Sequence, residues 1–475
     1  MTVTSQPHLG NVAVLGLGRT GEAAARHLCT LLGSRVDSVT VFGGAASEPG
    51  EGTRALEALG ARVVCGTDEV TGSFDLAVAS PGIPDSSPFF SAARACSTEV
   101  VGEPELAWRE RPERWAAVTG TNGKTTTTSL LTHLLRAGDL DAVSVGNIGT
   151  PAIEALDGRG ADTWFVAELS SFQLATTRLL HPRAAIVLNV TPDHLEWHGT
   201  MGAYAAAKER ELANLGAGDL AVVSVDDDYC RAMAARAEAR GLRVCRLSVE
   251  SEPTSPCAAF LRGETLVVRL DGAEHALVDA GELKIVGRYN AENALAAAAV
   301  ALELGVAEKD VRSGLASFSP IEHRVEPVAT VRGVRYVNDS KATNTDAVEK
   351  ALTAFEPGSV VLLLGGHDKG TDLSSLAAAV RGRCRAAVCY GEAGERIASA
   401  LEAEPSDLAV LRAPRLREAF AVASAEARPG ETVLLSPACS SFDEFSNMGE
   451  RGRLFKDLVR ALAEKGAAAP APQGE

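Results

Sequence analysis

Between Ala116 and Leu135 the chain reads AAVTGTNGKTTTTSLLTHLL. An apolar run passes into a glycine-rich turn, then Lys124 and Thr125, then an amphipathic run. That arrangement suits an anion, because backbone N–H groups at a helix start face negative charge favourably. Lys124 would add charge for the β- and γ-phosphates of a nucleotide, and the Thr125 hydroxyl would suit Mg2+. Gly120, Thr121, Asn122, Gly123 and Thr126 belong to the same cradle. The alternative is a glycine turn that only caps a helix. The turn is compact: Val118 stands where the usual G-x-x-x-x-G-K-[ST] loop has its first glycine. This form fits neither GTPases nor most ATPases.

Three further residue types point the same way. WFVAELSSFQL puts Glu168 at the end of an expected strand, and AAIVLNVTPDHLEWHG does the same for Asp193 and His194. Ligands of open α/β sheets collect outside the carboxyl ends of strands. Glu168 and His194 would then face the cleft of Thr125, within reach of Mg2+. Singly, Glu168 reads as a helix-start acid and His194 as a loop histidine. Lys208, in YAAAKERE, reads by spacing alone as a surface lysine on a helix.

A second glycine turn lies near the start. VLGLGRTG, from Val14 to Gly21, carries G-x-G-x-x-G between an expected strand and an expected helix, the fingerprint of dinucleotide sites. Such a site wants an acid about 20 residues on, at the end of the second strand. Here SVTVF ends in Gly43 and Gly44, and the next acid is Glu48. A nicotinamide-dependent oxidoreductase is therefore disfavoured, while anion binding at the turn survives.

Elements must hold these residues in place. Expected strands are Val12–Leu15, Val36–Phe42, Leu76–Ala79, Ala116–Thr119, Thr163–Ala167, Ala185–Val190, Leu220–Val225, Val360–Leu364, Ala386–Tyr390 and Thr432–Ser436. Ala/Leu-rich helical stretches separate them, which predicts an α/β fold of parallel sheets covered by helices. Residues 248–279 read as hairpins, and Ala294–Leu302 as a buried helix too short to span a bilayer. Three strand-to-helix turns, near residues 16, 120 and 364, each open an α/β unit. The expected division is 1–108, 109–318 and 319–466, followed by a small, Pro-containing, disordered tail at 467–475.

The formal net charge of −16 makes nucleic acid and anionic membrane poor default partners. Nine cysteines without a C-x-x-C pair argue against a zinc site or a disulfide framework. Scattered, they read as reduced thiols in a cytoplasmic setting, and no signal peptide is apparent at the start.

GTNGKTTT, ELSSFQL, NVTPDHLEWHG, YAAAKER, GRYNAENALAA, HRVE, NDSKATN, LGGHDKG and SPACSSFDEF occur in this order over most of the chain. In this the sequence resembles the Mur ligases of peptidoglycan synthesis, and within them the D-glutamate-adding branch. The GMSG turn of the L-alanine-adding branch and the DNPR-type motif of the diaminopimelate-adding branch are absent. Folylpolyglutamate synthases lack a first domain like residues 1–108. The resemblance implies three domains: a Rossmann-like one for UDP, a P-loop ATPase-like one, and a Rossmann-like third. It also implies ATP-driven joining of D-glutamate to UDP-N-acetylmuramoyl-L-alanine through an acyl phosphate; a monomer is expected.

Site residues follow from the same resemblance. Thr125 and Glu168 would hold one Mg2+, and His194 would help hold a second. Lys208 would be carbamylated, which turns an ammonium into an anionic oxygen ligand. Arg19, Thr20, Ser80, Gly82, Asn147 and His194 would meet the UDP-sugar. Asn293, Arg324, Asp339 and Lys341 would meet ATP. Thr343, Lys369, Ser441 and Phe442 would meet D-glutamate, with Met448 where a second aromatic is expected. A third domain that supplies Arg324, Lys341 and Lys369 would have to close on the second, keeping water from the acyl phosphate. The competing readings are a Mur-type ligase for another amino acid, a regulatory ATP-binding protein, and the oxidoreductase.

Overall fold

Short β-branched runs alternate with Ala- and Leu-rich ones along the chain, and the computed structural model lays them down as strands and helices in turn. It describes residues 7–368 and 370–467. The strands form three sheets.

The first sheet is five-stranded and parallel. Its order is Arg62–Val64, Val36–Phe42, Gly10–Leu15, Phe74–Ala79, Ser97–Gly102. Both faces are covered: Val12 and Val14 enter one core and Ala13 and Leu15 the other. This explains why the central strand is apolar throughout rather than alternating.

The second sheet has nine strands. From one edge they run Ala142–Gly146, Trp164–Glu168, Trp115–Thr119, Ala184–Val187, Leu220–Ser224, Arg243–Ser248 and Ala258–Arg262, all parallel. Thr265–Leu270 and Ala273–Asp279 then add antiparallel hairpins. The third sheet runs Glu326–Val331, Val334–Asn338, Thr432–Ala438, Val360–Gly365, Cys384–Tyr390, Ala409–Ala413. Only its first pair is antiparallel.

The chain forms two compact units. One runs to Asp279 and takes back Glu292–Leu315; the other comprises Ala280–Ala291 and the chain from Ala316 on. The first unit contains both of the first two sheets. Leu106 and Ala107, on the helix Glu103–Glu110, share a core with Ile153, Leu169 and Leu174 of the second sheet's loops and helices. Two buried carboxylates strengthen that seam. Glu105 accepts backbone N–H bonds from Arg178, Leu179 and Leu180 at 2.9–3.0 Å and one from Arg109 Nε. Glu103 Oε1 accepts from Ile153 N at 2.6 Å, while its Oε2 is buried with no hydrogen bond.

The ten expected strands are present, with shifted ends. The expected Ala185–Val190 stops at Val187, because Asn189 leaves the ladder to bind the glycine turn. Edge strands such as Arg62–Val64, Ala142–Gly146 and Ala409–Ala413 were not expected, being short or half exposed and so weakly patterned. Ala294–Leu302 lies within the helix Arg288–Glu303, buried from residue 294 to 301 and half-buried at Leu302. The expected tail lies outside the described residues from 468 on, while Ala467 still closes the last helix. All nine cysteines are free. Among the described residues no helix is long and apolar enough to cross a membrane.

Candidate active site

The turn after Trp115–Thr119 is built from both flanking strands. Thr119 Oγ1 donates to Leu169 O at 2.8 Å. Asn189, beyond the neighbouring strand, clamps the turn: its carbonyl accepts from Thr121 N and its Oδ1 from Asn122 N, while its Nδ2 donates to Asn122 O. Thr121 Oγ1 also sits 3.0 Å from Tyr204 Oη. Gly123 starts the helix Lys124–Ala137 at φ +86°, and a Cβ there would lie 2.3 Å from Asn293 Oδ1. Both conformation and space require glycine. Asn293 is buried, and its Oδ1 accepts from Thr127 Oγ1 at 3.1 Å.

Two lysines converge on this turn. Lys124 Nζ folds back onto Gly120 O and Thr121 O, each at 2.8 Å. Lys208 Nζ, on the helix Met201–Glu209, donates to the same Gly120 O at 2.8 Å. Lys208 is 1% exposed, so it is no surface lysine. Burial, with the Lys124 charge beside it, holds its ammonium well below the usual lysine range. Glu211, one turn on, is also fully buried, and burial pushes its carboxyl well up.

Glu168 ends the strand Trp164–Glu168, opposite Val118 in register, and is 2% exposed. Its Oε1 accepts from Asn147 Nδ2 at 2.8 Å, and its backbone carbonyl from Asn147 N. Its Oε2 is buried without a hydrogen bond. That orphan oxygen, one strand from the glycine turn, has the chemistry of a divalent-cation ligand. A protonated Lys208 does not, so the set fits Mg2+ only with that amine converted to an oxygen ligand. Among the described residues no three His, Cys, Asp or Glu side chains converge as a metal cage. Any cation here would lean on hydroxyl and phosphate oxygens as well.

His194 lies farther out than expected, seven residues past Val187 at the start of the short helix Leu195–His198, at φ +54°. Its ring packs 4.8 Å from Phe172 and is partly exposed. Behind it His198 Nε2 pairs with Ser171 Oγ at 2.9 Å. Burial, with Lys208 and His194 nearby, pushes His198 down to about 4.

In the first sheet Gly16 (φ +93°) and Gly21 enclose Ser80, whose Oγ would touch a Cβ on either and has no hydrogen bond of its own. Gly82 faces open space. Arg19 and Thr20 begin the helix Arg19–Thr30. Arg19 Nη1 donates to Gly149 O at 2.8 Å, in the loop that carries Asn147. The UDP-sugar candidates Arg19 and Asn147 thus belong to one connected region.

The third sheet gathers its own cluster. Asp339 Oδ1 accepts from Val325 N and Oδ2 from Ser436 Oγ, and burial pushes its carboxyl up to about 7. Lys341 N donates to His323 O, which brings Arg324 and Lys341 onto adjacent turns. Thr343 precedes the Asn344 cap of the helix Thr345–Leu352. Ser441 is buried, whereas Phe442 is 70% exposed rather than a core aromatic. Lys369 lies outside the described residues.

Three residues here escaped sequence reasoning. Arg451 is fully buried and donates to the carbonyls of Ser340, Cys439 and Ser440. Asn338 Nδ2 sits 2.8 Å from His323 Nδ1, and Ser340 Oγ donates to Met448 O. Arg451 lies in GERGRLFKDL, which reads as an ordinary amphipathic helix with its arginines outside. The flanking glycines were the available signal: a Cβ on Gly452 would lie 2.3 Å from His323 Nδ1.

The sequence matches the family models of the Mur ligase middle domain over residues 118–301 and of the Mur ligase, glutamate ligase domain over residues 323–439. It is 42% identical over 391 residues to the UDP-N-acetylmuramoylalanine--D-glutamate ligase of Koribacter versatilis (strain Ellin345), covering 82% of this chain and 84% of that one. Against the protein of the same name from Pelotomaculum thermopropionicum it is 40% identical over 454 residues, 95% of this chain and 97% of that one. Among solved structures, the MurF ligase from Thermotoga maritima in complex with ADP superposes with a TM-score of 0.57 at 16% identity, over 84% of this chain and 97% of that one.

Proposed function

The chain belongs to the Mur ligase family, ATP-dependent enzymes that form amide bonds, and on that premise we propose that it joins D-glutamate to UDP-N-acetylmuramoyl-L-alanine. The observation that carries the reading is 40% identity to a D-glutamate ligase over 95% of this chain. The glycine turn with its two converging lysines supports it from the side of the chemistry.

In this reading the L-alanine carboxylate attacks the γ-phosphate of ATP, and the amine of D-glutamate then displaces phosphate from the acyl phosphate. Two anions must meet. Backbone N–H groups of Gly120–Thr126 and the Lys124 ammonium receive the phosphates, offsetting that repulsion where charge develops. Lys124 must leave the Gly120 and Thr121 carbonyls to do so, and those bonds keep it aimed at the turn until then.

Thr125, Glu168, His194 and carbamylated Lys208 would hold Mg2+, which supplies charge neutralisation for the triphosphate and the acyl oxygen. Two ions are proposed. Carbamylation needs a neutral amine, and burial beside Lys124 favours that state at Lys208. Asn147 orients Glu168 through the 2.8 Å bond and leaves its second oxygen unused. Asn293 holds Thr127 and Gly123 in place from behind, and is proposed to reach the adenine as well.

The remaining roles are proposals on the same footing. Arg19, Thr20, Ser80 and Gly82 serve the UDP portion. Arg324, Asp339 and Lys341 serve ATP; Thr343, Lys369, Ser441 and Phe442 serve D-glutamate. The functional division is 1–108, 109–318 and 319–466, and the enzyme works as a cytoplasmic monomer.

Release of ADP tests the reading directly. With UDP-N-acetylmuramoyl-L-alanine present, D-glutamate should elicit ADP and L-glutamate should not. Turnover with L-glutamate, or only with some other amino acid, would overturn the substrate assignment.

A further inference from the structure

The glycine turn of the first sheet is only half of a nucleotide site. In this strand order a diphosphate rests at the first helix start, and the attached nucleoside lies over the carboxyl end of the neighbouring strand, where an acid takes its hydroxyls. That strand, Val36–Phe42, ends here in Gly43 and Gly44.

The third strand supplies what is missing. Gly43 N donates to Val64 O at 2.8 Å, Gly44 bridges to Thr67, and Gly66 N donates to Ser47 Oγ. These contacts lay the loop after Arg62–Val64 across the end of the second strand. Asp68 on that loop is exposed, and its Oδ1 accepts from Ala45 N at 2.8 Å. Its Oδ2 takes no hydrogen bond among the described residues. Gly44, at φ +87°, takes a backbone conformation that favours glycine and lies beside the carboxylate, where a Cβ would be in ordinary contact with Asp68 Oδ1 at 3.4 Å.

We propose that Asp68 is a specificity-determining residue for the UDP-sugar, its carboxylate accepting a hydrogen bond from the uridine. This rests on the UDP-sugar reading given above. Uridine offers two kinds of donor, the ribose hydroxyls and the base imide N–H. A carboxylate accepts either and donates nothing, and its charge strengthens the bond. Asp68 stands on the third strand's loop, whereas the diphosphate is expected at the Gly18–Gly21 helix start on the first, so the two negative groups stay at opposite ends of the nucleoside. The Ala45 bond positions the carboxylate and leaves one oxygen for the ligand.

Equilibrium binding of UDP, 2′-deoxy-UDP and 3-methyl-UDP to the full-length wild type, Asp68→Asn and Asp68→Ala tests this. Asp68→Asn keeps an oxygen for Ala45 while removing the charge. Both variants should bind UDP about tenfold more weakly or worse, the loss of one hydrogen bond to a charged acceptor. The KM for the UDP-sugar should rise with kcat and the D-glutamate KM unchanged, a split that general destabilisation would not produce. One analogue should bind the wild type as weakly as UDP binds Asp68→Ala, and bind the variant no worse; which analogue does so identifies the donor. Wild-type affinity for UDP in Asp68→Asn would overturn the proposal alone. A wild type that does not bind UDP would overturn the substrate reading and this inference with it.

Discussion

Lys208 shows how far a residue's chemistry can depart from its sequence context. Its neighbours in YAAAKERE suggest a solvated helix face, yet the side chain is buried on the Gly120 carbonyl beside Lys124. An ammonium confined there with a second ammonium is costly, which favours the neutral, nucleophilic amine. Supplying 13C-bicarbonate should therefore give a carbamate carbonyl resonance in the wild type that is absent from Lys208→Arg. The same variant should lose on the order of 10²–10³ in kcat, the usual cost of removing one preorganised charge-stabilising group. An unmodified Lys208 in active, bicarbonate-supplied enzyme would refute the assignment.

At the scale of elements, the helix Glu103–Glu110 acts as a connector. Its apolar face reads clearly in ELAWRE, but its buried acids do not, since acids on a short helix normally face water. Glu103 is retained inside because Ile153 N needs an acceptor. Burial pushes its carboxyl up to about 7, against an ordinary value of 4.5. Between those values the folded chain keeps a proton that the unfolded chain has released. Stability must then fall as pH rises through that window, by at most about 3 kcal/mol. Glu103→Gln keeps an acceptor for Ile153 and cannot ionise, so its melting temperature should fall less than that of the wild type between pH 5 and pH 8. Parallel curves for the two proteins would show that Glu103 does not carry the effect.

At the scale of the molecule, the first two sheets share one core although sequence reading divides them near residue 108. Leu106 lies at the middle of that core with Ile153, Leu169 and Leu174. Leu106→Ala should cost about 2–5 kcal/mol. Amide exchange should quicken together in the strands Gly10–Leu15 and Trp164–Glu168. Faster exchange in the first sheet alone would mean that the sheets open independently.

Local patterns determined much of this protein by themselves. The alternation of apolar strands and helical runs specified parallel sheets covered by helices, because such runs can bury their faces in few other ways. The glycines of GLGRTG and GTNGKT marked the two strand-to-helix turns, because only glycine tolerates the backbone at Gly16 and Gly123. Tertiary structure alone decided the rest. It buried Lys208 and Arg451, left Glu168 Oε2 without a partner, turned Asn189 from a strand residue into a clamp, and brought Asp68 to the carboxyl end of a strand that runs out in two glycines. The physical reason is the same each time. Burial and partnership depend on which distant segments pack against a residue, and neither composition nor spacing along one element records that.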